Sequence, residues 1–359
     1  MPSSKRIPLR DYQAQRIALI KPSALGDIVH SLPILAALRH RYPLAHITWV
    51  VNRSYEPLLQ GHRDLNATLP FDRGAARHGW KPALSTFGQF LQEFRRHRFD
   101  LVVDLQGLLR TGIMAAASGA RRRVGLSSAR EGALWFYTDV IEAPDRNGMH
   151  AVDRYWLVAE AFGVGSLSKS FWIPLSENEK VWAAEILQSY PRPWMMVSAG
   201  SRWVTKRWLP DHFAVLARQA QDRFGGSIVL VGGAEERPLA RKVAAQLCGP
   251  VRDLTGETTL PQLAALLACA DVTVANDTGP LHLAVALGRT VVAPYTCTRA
   301  AITGPYGFPG HAVETTIWCR GSYLKKCSRM ECMMDLTPAR VWPVLQEVLL
   351  AWQNNRRSA

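Results

Sequence analysis

The sequence lacks the short motifs that mark several large enzyme classes. It contains no G-x-x-x-x-G-K-[ST] phosphate loop, no G-x-G-x-x-G after its first apolar strand, no H-E-x-x-H and no G-x-S-x-G. These absences argue against a P-loop nucleotide hydrolase, a zinc protease and an α/β-hydrolase, and they weaken the case for a dinucleotide oxidoreductase. A D-x-D pair, which many metal-dependent sugar transferases use to hold a cation, is missing too. We therefore expect a reaction without a catalytic metal or a cofactor.

Long apolar runs are also absent. No stretch approaches the roughly 18 consecutive apolar residues that a membrane-spanning helix needs. The first 16 residues are polar and basic and contain no apolar segment typical of signal peptides, so we expect a cytoplasmic protein. The composition, 48% hydrophobic and 20% charged, is typical of a globular protein, and 359 residues suffice for two domains with separate cores.

Acidic residues are few relative to basic ones. The chain has 43 Lys and Arg against 29 Asp and Glu, which gives a formal net charge of +14. This excess favours an anionic partner, either nucleic acid, an acidic membrane surface or a phosphorylated substrate. No signature of an RNA-recognition motif, zinc finger or basic zipper accompanies it, so nucleic acid is the least favoured of the three.

Cysteines number only six, and no two of them form a C-x-x-C pair. Cys248 and Cys269 lie in apolar helical patterns, which predicts buried thiols. Cys319, Cys327 and Cys332 crowd into one short segment, but their spacing differs from that of the usual zinc sites. These three thiols should be reduced in a cytoplasmic protein, and the sequence leaves open whether they bind a metal.

The sequence does contain a regular alternation of short β-rich runs and longer helical patterns. The predicted strands cover 16–21, 46–51, 100–105, 194–200, 227–233, 271–277 and 290–295. The predicted helices cover 28–42, 87–98, 212–224, 260–270 and 337–353. This alternation predicts two doubly wound α/β domains, 1–180 and 181–359, which face a cleft. Ligands of such sheets bind beyond the carboxyl ends of the strands, so the strand-to-helix turns should carry the chemistry.

The turn after the first predicted strand, KPSALGDIVHSLP (21–33), places Gly26 and Asp27 at the start of a helix. One interpretation of Asp27 is structural, because Asp is a favoured N-cap and complements the helix dipole. The other is functional, because a carboxylate here can act as a general base toward an attacking hydroxyl group. The local pattern alone favours the capping role.

A second turn, DTGPLHLAVALG (277–288), follows the strand predicted at 271–277. Thr278 and Gly279 lie where a helix N-terminus presents free backbone N–H groups, which suits a diphosphate. His282, one turn into this helix, either reaches the same anion or simply packs in the core.

Two further turns suit a nucleotide ligand. In SAGSRWVTKRWLP (198–210), Ser201 lies among small residues that let a ligand approach the backbone, and Lys206 offers a charge for phosphate. A lysine beside Trp208 is more often a surface residue over an aromatic edge. In VGGAEERP (231–238), Glu235 or Glu236 could accept hydrogen bonds from ribose hydroxyls, or serve only as a helix N-terminal acid.

Taken in order, these segments resemble glycosyltransferase family 9, the ADP-heptose:lipopolysaccharide heptosyltransferases. The matching segments extend from the first strand to the last helix, and their shared order makes the resemblance specific. They are KPSALGDIVHSLP, DLQGLLRT (104–111), SSAREGALWFY (127–137), HAVDR (150–154), KRWLP (206–210), GGAEE (232–236) and NDTGPLHLAVAL (276–287).

The resemblance implies a GT-B fold, in which two Rossmann-like domains face an interdomain cleft. The N-terminal domain would bind the acceptor and the C-terminal domain the nucleotide sugar. The implied reaction is an inverting, metal-independent transfer of L-glycero-D-manno-heptose from ADP-heptose to the inner core of lipopolysaccharide. Asp27 would be the general base, and Arg130 and Glu131 would lie on the acceptor side, where an arginine can pair with the carboxylate of the acidic sugar Kdo. The implied donor-side residues are Ser201, Lys206, Glu236, Asp277, Thr278, Gly279 and His282. Asp277 would bind hydroxyl or N–H groups, because its charge repels phosphate.

The net charge of +14 is then explained by an anionic glycolipid acceptor and by peripheral attachment at the cytoplasmic face of the inner membrane. Nucleic acid is not an expected partner. The segment SAGSRWVTKRW lacks the consecutive threonines typical of heptosyltransferase I enzymes, so the sequence leaves the acceptor sugar, Kdo or heptose, open. The alternatives are another sugar nucleotide, a protein acceptor, or a non-catalytic family member that binds glycolipid.

Overall fold

The structure is a computed structural model that describes residues 6–72, 80–145 and 148–357. The chain divides into two compact units, Met1–Pro174 and Leu175–Ala359. The sequence predicted a boundary between residues 180 and 181. That position lies six residues after the observed boundary and falls inside the first helix of the second unit, Glu177–Leu187. That helix begins after Ser176, whose side chain accepts a hydrogen bond from the N–H of Glu179, which fixes the start of the second unit.

The N-terminal unit contains one parallel six-stranded sheet with helices between its strands. Its strands are β1 (Arg16–Ile20), β2 (His46–Asn52), β3 (Ala67–Phe71), β4 (Leu101–Asp104), β5 (Arg122–Leu126) and β6 (Asp139–Ile141). Its helices are α1 (Leu25–Arg41), α2 (Trp80–Arg96), α3 (Leu109–Ala117) and α4 (Ala151–Ala161). The strand order is β3-β2-β1-β4-β5-β6, so the direction of winding reverses between β1 and β4.

The C-terminal unit repeats this plan. Its strands are β7 (Trp194–Ser198), β8 (Ser227–Leu230), β9 (Val251–Asp253), β10 (Val272–Ala275), β11 (Val291–Tyr295) and β12 (Ala312–Glu314). Its helices are α5 (Glu177–Leu187), α6 (Pro210–Phe224), α7 (Arg237–Ala244), α8 (Leu260–Cys269), α9 (Gly279–Ala286), α10 (Ala300–Thr303), α11 (Glu331–Asp335) and α12 (Pro338–Arg357). The order β12-β11-β10-β7-β8-β9 places the reversal between β7 and β10.

Central strands supply the cores. In β1 every residue from Ile17 to Ile20 is buried, as expected for a strand that is covered on both faces. In the C-terminal unit, the last helix α12 adds Val341, Leu345 and Leu349 to the core beneath α6. The amphipathic pattern predicted for 337–353 is therefore the pattern of a helix that closes a hydrophobic core.

The structure confirms the predicted α/β class and its parallel sheets, and it corrects several ends of elements. Strands β7, β8 and β10 end at Ser198, Leu230 and Ala275, whereas the predicted strands continued to positions 200, 233 and 277. The additional residues instead form the turns that lead into the next helices. Helix α1 begins at Leu25, three residues earlier than predicted. Both corrections bring polar residues closer to the strand ends, where doubly wound sheets bind ligands.

Candidate functional site

The first polar cluster lies at the switch point of the N-terminal sheet and consists of Lys21, Asp27 and Tyr155. Lys21 follows β1 directly, and its ammonium donates to the carbonyl oxygen of Leu105 at 3.2 Å, which follows β4. The same ammonium donates to the Tyr155 hydroxyl at 2.7 Å. One lysine therefore connects the ends of the two strands that flank the switch point with helix α4.

The sequence pattern favoured Asp27 as the N-cap of α1, but the N-cap is Ala24. Helix α1 begins two residues earlier, so Asp27 is its third residue, and one carboxylate oxygen accepts the N–H of Ala24 at 3.2 Å. The other oxygen accepts the Tyr155 hydroxyl at 3.2 Å and lies 3.7 Å from the Lys21 ammonium. The Asp27 side chain nevertheless remains 41% exposed, whereas that of Lys21 is 3% exposed. The carboxylate is thus held in place by the Ala24 N–H, the Tyr155 hydroxyl and the Lys21 ammonium, and part of its surface remains accessible to a ligand.

The charge state of Asp27 follows from these contacts. Burial of the group would raise its pKa, but the Lys21 ammonium, the Ala24 N–H and the Tyr155 hydroxyl together outweigh burial and lower the pKa of Asp27. The carboxylate is therefore ionised at neutral pH and can accept a proton.

A small pocket opens beside this cluster, and Tyr155 forms part of its wall together with Gln106, Gly107, Ser128 and Arg154. The turn after β4 is held in place by Asp104, whose carboxylate accepts the N–H groups of Gln106 and Gly107. The Gln106 side-chain oxygen is buried and, within the part of the chain that the structure describes, accepts no hydrogen bond. Such an atom needs a donor to offset the cost of its burial, and a ligand hydroxyl group would supply one.

Burial raises the pKa of Asp104, and hydrogen bonds from Tyr137, Thr111 and the two N–H groups only partly offset this effect. Because Asp104 is fully enclosed, its role is to shape the turn.

The two predicted acceptor-side residues lie on the loop that lines this pocket. The N–H of Arg130 donates to the Gly107 carbonyl at 2.8 Å, and the Arg130 side chain is exposed. Glu131 has a left-handed backbone (φ +57°), and its carboxylate accepts the N–H of Leu109 at the start of α3 at 3.3 Å. Arg130 is therefore available to a ligand, whereas Glu131 supports the loop.

The second polar cluster lies at the switch point of the C-terminal sheet and consists of Lys206, Asp277 and His282. The Lys206 ammonium lies 2.6 Å from one oxygen of Asp277, and the His282 ring lies 3.2 Å from the other. Asp277 is 4% exposed and Lys206 is 18% exposed, so here the cation is the more accessible partner. Burial alone would raise the pKa of Asp277, but Lys206 and His282 lower it strongly. Lys206 is thus a fixed, paired cation and not the surface lysine that the sequence pattern favoured.

Asn276, which the sequence analysis missed, connects the two strand ends at this switch point. Its side-chain amide donates to the carbonyl oxygens of Ala199 and Gly200, which follow β7, and its oxygen accepts the N–H of Trp208. The residue is fully buried. A buried asparagine must satisfy its donors and its acceptor, so it fixes the loop that carries Lys206.

The predicted diphosphate cradle is a helix N-terminus, as expected. Thr278 is the N-cap of α9 and Gly279 is its first residue. The Thr278 hydroxyl donates to the Asn276 carbonyl and makes no capping bond to α9. Since the first N–H groups of a helix have no partner within it, this end of α9 suits an anion.

Ser201 and Glu236 flank the same loop. Ser201 is buried, and its carbonyl oxygen accepts the Arg207 guanidinium at 2.6 Å. The Glu236 carboxylate accepts the N–H of Gly233 at 2.9 Å and lies so close to Gly200 that a Cβ at that position would overlap it. Burial raises the pKa of Glu236. Gly200 is therefore required for the close approach of this carboxyl group to the strand end.

All six cysteines are free thiols, and neither Cys248 nor Cys269 is fully buried, although the sequence pattern predicted burial for both. Cys248 is exposed because α7 ends at Ala244, before the apolar pattern reaches it, and Cys269 is half-buried. Of the three crowded cysteines only Cys332 is buried, and burial raises its pKa to about 11. Among residues 6–72, 80–145 and 148–357, no group of three or more His, Cys, Asp or Glu side chains is arranged to hold a metal ion.

Solved structures share this architecture. A glycosyltransferase family 9 protein from Veillonella parvula superposes with a TM-score of 0.83 at 24% identity, covering 95% of this chain and 99% of that one, which shows the fold. ADP-heptose lps heptosyltransferase II from Escherichia coli superposes with a TM-score of 0.75 at 27% identity, covering 94% of this chain and 100% of that one. The fold is therefore that of the GT-B glycosyltransferases.

The chain belongs to glycosyltransferase family 9 (heptosyltransferase), whose family model matches residues 87–336, and it is a glycosyltransferase. Lipopolysaccharide heptosyltransferase 1 of Pseudomonas aeruginosa is 29% identical over 367 residues, which cover 94% of this chain and 98% of that protein. In the described ranges, every helix is either too short or too polar to cross a membrane.

Proposed function

We propose that this chain is an inverting heptosyltransferase that transfers L-glycero-D-manno-heptose from ADP-heptose to the inner core of lipopolysaccharide, without a catalytic metal or a cofactor. The family and the names of its relatives support this sugar and this acceptor. The observation that carries the chemistry is the accessible, ionised Asp27 carboxylate at the switch point of the N-terminal sheet.

In the proposed reaction an acceptor hydroxyl attacks the anomeric carbon of heptose from the side opposite the diphosphate. The new C–O bond forms as the bond to ADP breaks, and Asp27 takes the hydroxyl proton. A single displacement of this kind inverts the configuration. Tyr155 and Lys21 act as positioning residues, since the Tyr155 hydrogen bond orients the carboxylate and the Lys21 ammonium, which itself binds Tyr155, favours its ionised form.

The departing ADP gains negative charge, which the C-terminal unit is suited to stabilise. Lys206 and the N-terminus of α9, from Thr278 to Gly279, supply positive charge and N–H donors for the diphosphate. Asp277 holds Lys206 and His282 in position and does not itself contact phosphate. We assign Ser201 and Glu236 to the nucleoside side of the donor.

The acceptor is proposed to bind to the N-terminal unit beside Asp27, where the pocket of about 10 Å³ has room for a single hydroxyl group. Arg130, which is exposed on the loop that lines this pocket, suits an acceptor that carries carboxylate or phosphate groups. A heptosyltransferase 1 at 29% identity and a heptosyltransferase II at 27% identity are similarly distant, so the relatives do not separate a Kdo acceptor from a heptose acceptor. Peripheral attachment to the cytoplasmic face of the inner membrane stays a prediction.

The direct test is a transfer assay with ADP-heptose in which Kdo2-lipid A and a heptosylated core are offered in separate reactions and products are identified by mass spectrometry. The test variant is Asp27→Asn, which keeps the shape of the side chain and removes the base. The matched control is Asp11→Asn, since Asp11 is an exposed aspartate whose nearest ion-pair partner, Arg10, lies 3.9 Å away. We expect one heptose to be added by the wild type and the control, and a rate about a thousandfold lower with Asp27→Asn.

The outcomes separate the parts of the proposal. Transfer at the wild-type rate by Asp27→Asn would contradict the assignment of the base. Donor binding without transfer to either glycolipid would contradict the lipopolysaccharide acceptor and favour a protein acceptor. Failure to bind ADP-heptose would contradict the donor.

A further inference from the structure

Three large apolar side chains project from one corner of the N-terminal unit and form what we call the apolar ridge: Leu109, Leu134 and Trp135. All three are exposed, and Trp135 is 87% exposed. Leu109 and Leu134 are 41% and 37% exposed, and several large apolar side chains exposed together are more informative than a single exposed leucine. Together they present an apolar surface that the fold does not use.

The ridge is built on a rigid base. Gly112 of α3 packs so closely on the turn at Ala133–Phe136 that a Cβ would lie 2.8 Å from the Phe136 ring and 3.1 Å from Ala133. The Trp135 ring lies against Gly132, which has a left-handed backbone (φ +78°). The N–H of Leu109 is bound by Glu131 from the same turn. These contacts hold the apolar side chains on a fixed support.

The ridge adjoins the proposed acceptor pocket. Leu109 follows the pocket-lining turn at Gln106 and Gly107. Arg130 directly follows the pocket-lining residues Ser128 and Ala129, and its N–H donates to the Gly107 carbonyl. Tyr155, which also lines the pocket, donates to Asp27. A surface on which the ridge rested would therefore lie next to the pocket and its base.

The charge around the ridge is basic. Arg110 follows Leu109, Arg130 is exposed on the adjoining loop, and the Arg123 guanidinium donates to the Phe136 carbonyl next to Trp135 in sequence. Glu131, on the same loop as Arg130, is an acid. Residues 1–174 carry 23 Lys and Arg against 14 Asp and Glu, a charge of +9, whereas residues 175–359 carry 20 against 15. An exposed tryptophan with leucines and arginines has the chemistry of side chains that lie at the interface of an anionic bilayer.

We propose that the apolar ridge seats the N-terminal unit on an anionic lipid surface, so that the head group of a membrane-held glycolipid reaches the pocket beside Asp27. This inference rests on the proposed function for the acceptor, but the membrane contact itself does not depend on which sugar is transferred. The tryptophan and leucines enter the interface, and the arginines pair with lipid phosphates.

The test is flotation of the full-length chain with vesicles of phosphatidylethanolamine and phosphatidylglycerol, compared with vesicles of phosphatidylcholine alone. The variant is Leu134→Ser with Trp135→Ser, and the matched control is Trp318→Ser in the C-terminal unit, because Trp318 is 80% exposed. We expect wild type and control to float with the anionic vesicles and the double variant to bind about tenfold more weakly. The single variant Trp135→Ser should show a smaller loss, and thermal unfolding of each variant checks its fold.

The rate of heptose transfer to a lipid-free core oligosaccharide distinguishes a membrane contact from a sugar contact. We expect the double variant to keep the wild-type rate with this acceptor. Unchanged flotation of the double variant, or an equal loss with Trp318→Ser, would overturn the proposal. A loss of transfer to the lipid-free acceptor with unchanged flotation would assign Trp135 to sugar binding and overturn it as well. If the wild type transfers no heptose, the proposed function fails, whereas the flotation result still decides the role of the ridge.

Discussion

Each unit carries a lysine–aspartate pair at the switch point of its sheet, but the more accessible member of the pair differs between the two units. In the N-terminal unit Lys21 is buried and Asp27 is 41% exposed, whereas in the C-terminal unit Asp277 is buried and Lys206 is the more accessible partner. The more buried member of each pair holds its partner in place and favours the charged form of that partner. The exposed carboxylate of Asp27 suits a proton acceptor, and the more accessible ammonium of Lys206 suits a diphosphate.

The difference is also visible in the third member of each cluster. Tyr155 donates to Asp27 and leaves the carboxylate accessible, whereas Lys206 and His282 each contact one oxygen of Asp277 and enclose it. The carboxylate proposed to react is accessible to a ligand, and the carboxylate proposed to hold its neighbours in position is buried. Under the proposed function, similar folds with similar residues would thus support different tasks, which residue type alone would not reveal.

Apart from the loss of transfer expected for Asp27→Asn, the largest expected effect of breaking this comparison is on stability. Asp277→Asn leaves Lys206 without its counter-charge in a mostly buried position, so we expect a loss of about 3 kcal/mol in the free energy of unfolding at pH 7. Because folding lowers the pKa of Asp277, its stabilisation is complete above the ordinary value of 3.8 and is lost as the pH falls below it. Urea unfolding should therefore show a difference between variant and wild type that shrinks below this pH. An equally large difference at all pH values would contradict the ion pair as its cause.

The next effect concerns Lys206, the more accessible member of the C-terminal pair. Lys206→Gln removes a charge-assisted contact to the donor diphosphate, so the Kd of ADP-heptose should rise roughly 10- to 100-fold. Isothermal titration calorimetry measures it, and Lys325→Gln is a suitable control, because Lys325 lies over the same Trp203 ring but forms none of the ion pairs described. An unchanged Kd for Lys206→Gln would remove Lys206 from the donor site.

A smaller effect on kcat is expected when the hydrogen bond from Tyr155 to Asp27 is removed. Tyr155→Phe removes one hydrogen bond that lowers the pKa of Asp27, so that pKa should rise and the acidic limb of the pH profile of kcat should move to higher pH. We expect kcat to fall about tenfold at neutral pH, because the carboxylate also loses its orientation. A lower kcat with an unshifted pH profile would mean that Tyr155 only supports the fold.

The smallest expected effect is that of removing metal ions. If Lys206 and the α9 N-terminus alone neutralise the diphosphate, dialysis against EDTA should leave the transfer rate unchanged. A loss of activity that a divalent cation restores would contradict the metal-independent mechanism.

Sequence patterns identified the residues that lie at strand ends and missed those that depend on distant parts of the chain. Asp27, Thr278 and His282 were found because doubly wound sheets place ligand-binding residues in the turns after their strands. Tyr155 was missed because it meets Asp27 across 128 residues, which no local pattern records. Lys21 carried a usable signal, since a lysine at the end of an otherwise buried strand needs a partner.

Five strands were missed, β3, β5, β6, β9 and β12, and three of them have a physical explanation. β6, β9 and β12 contain three residues each and are half-buried at the edges of their sheets. Three residues are too few to show the alternation by which half-buried strands are recognised. The central strands were found because they are continuous apolar runs.

The most direct test of the account compares Asp27→Asn with Lys206→Gln in two measurements, the Kd of ADP-heptose and the single-turnover rate at saturating donor. We predict that Asp27→Asn lowers the rate about a thousandfold and leaves the Kd unchanged. We predict that Lys206→Gln raises the Kd of ADP-heptose roughly 10- to 100-fold. A higher Kd with Asp27→Asn, together with an unchanged Kd for Lys206→Gln, would contradict the assignment of Asp27 to proton transfer and of Lys206 to the donor.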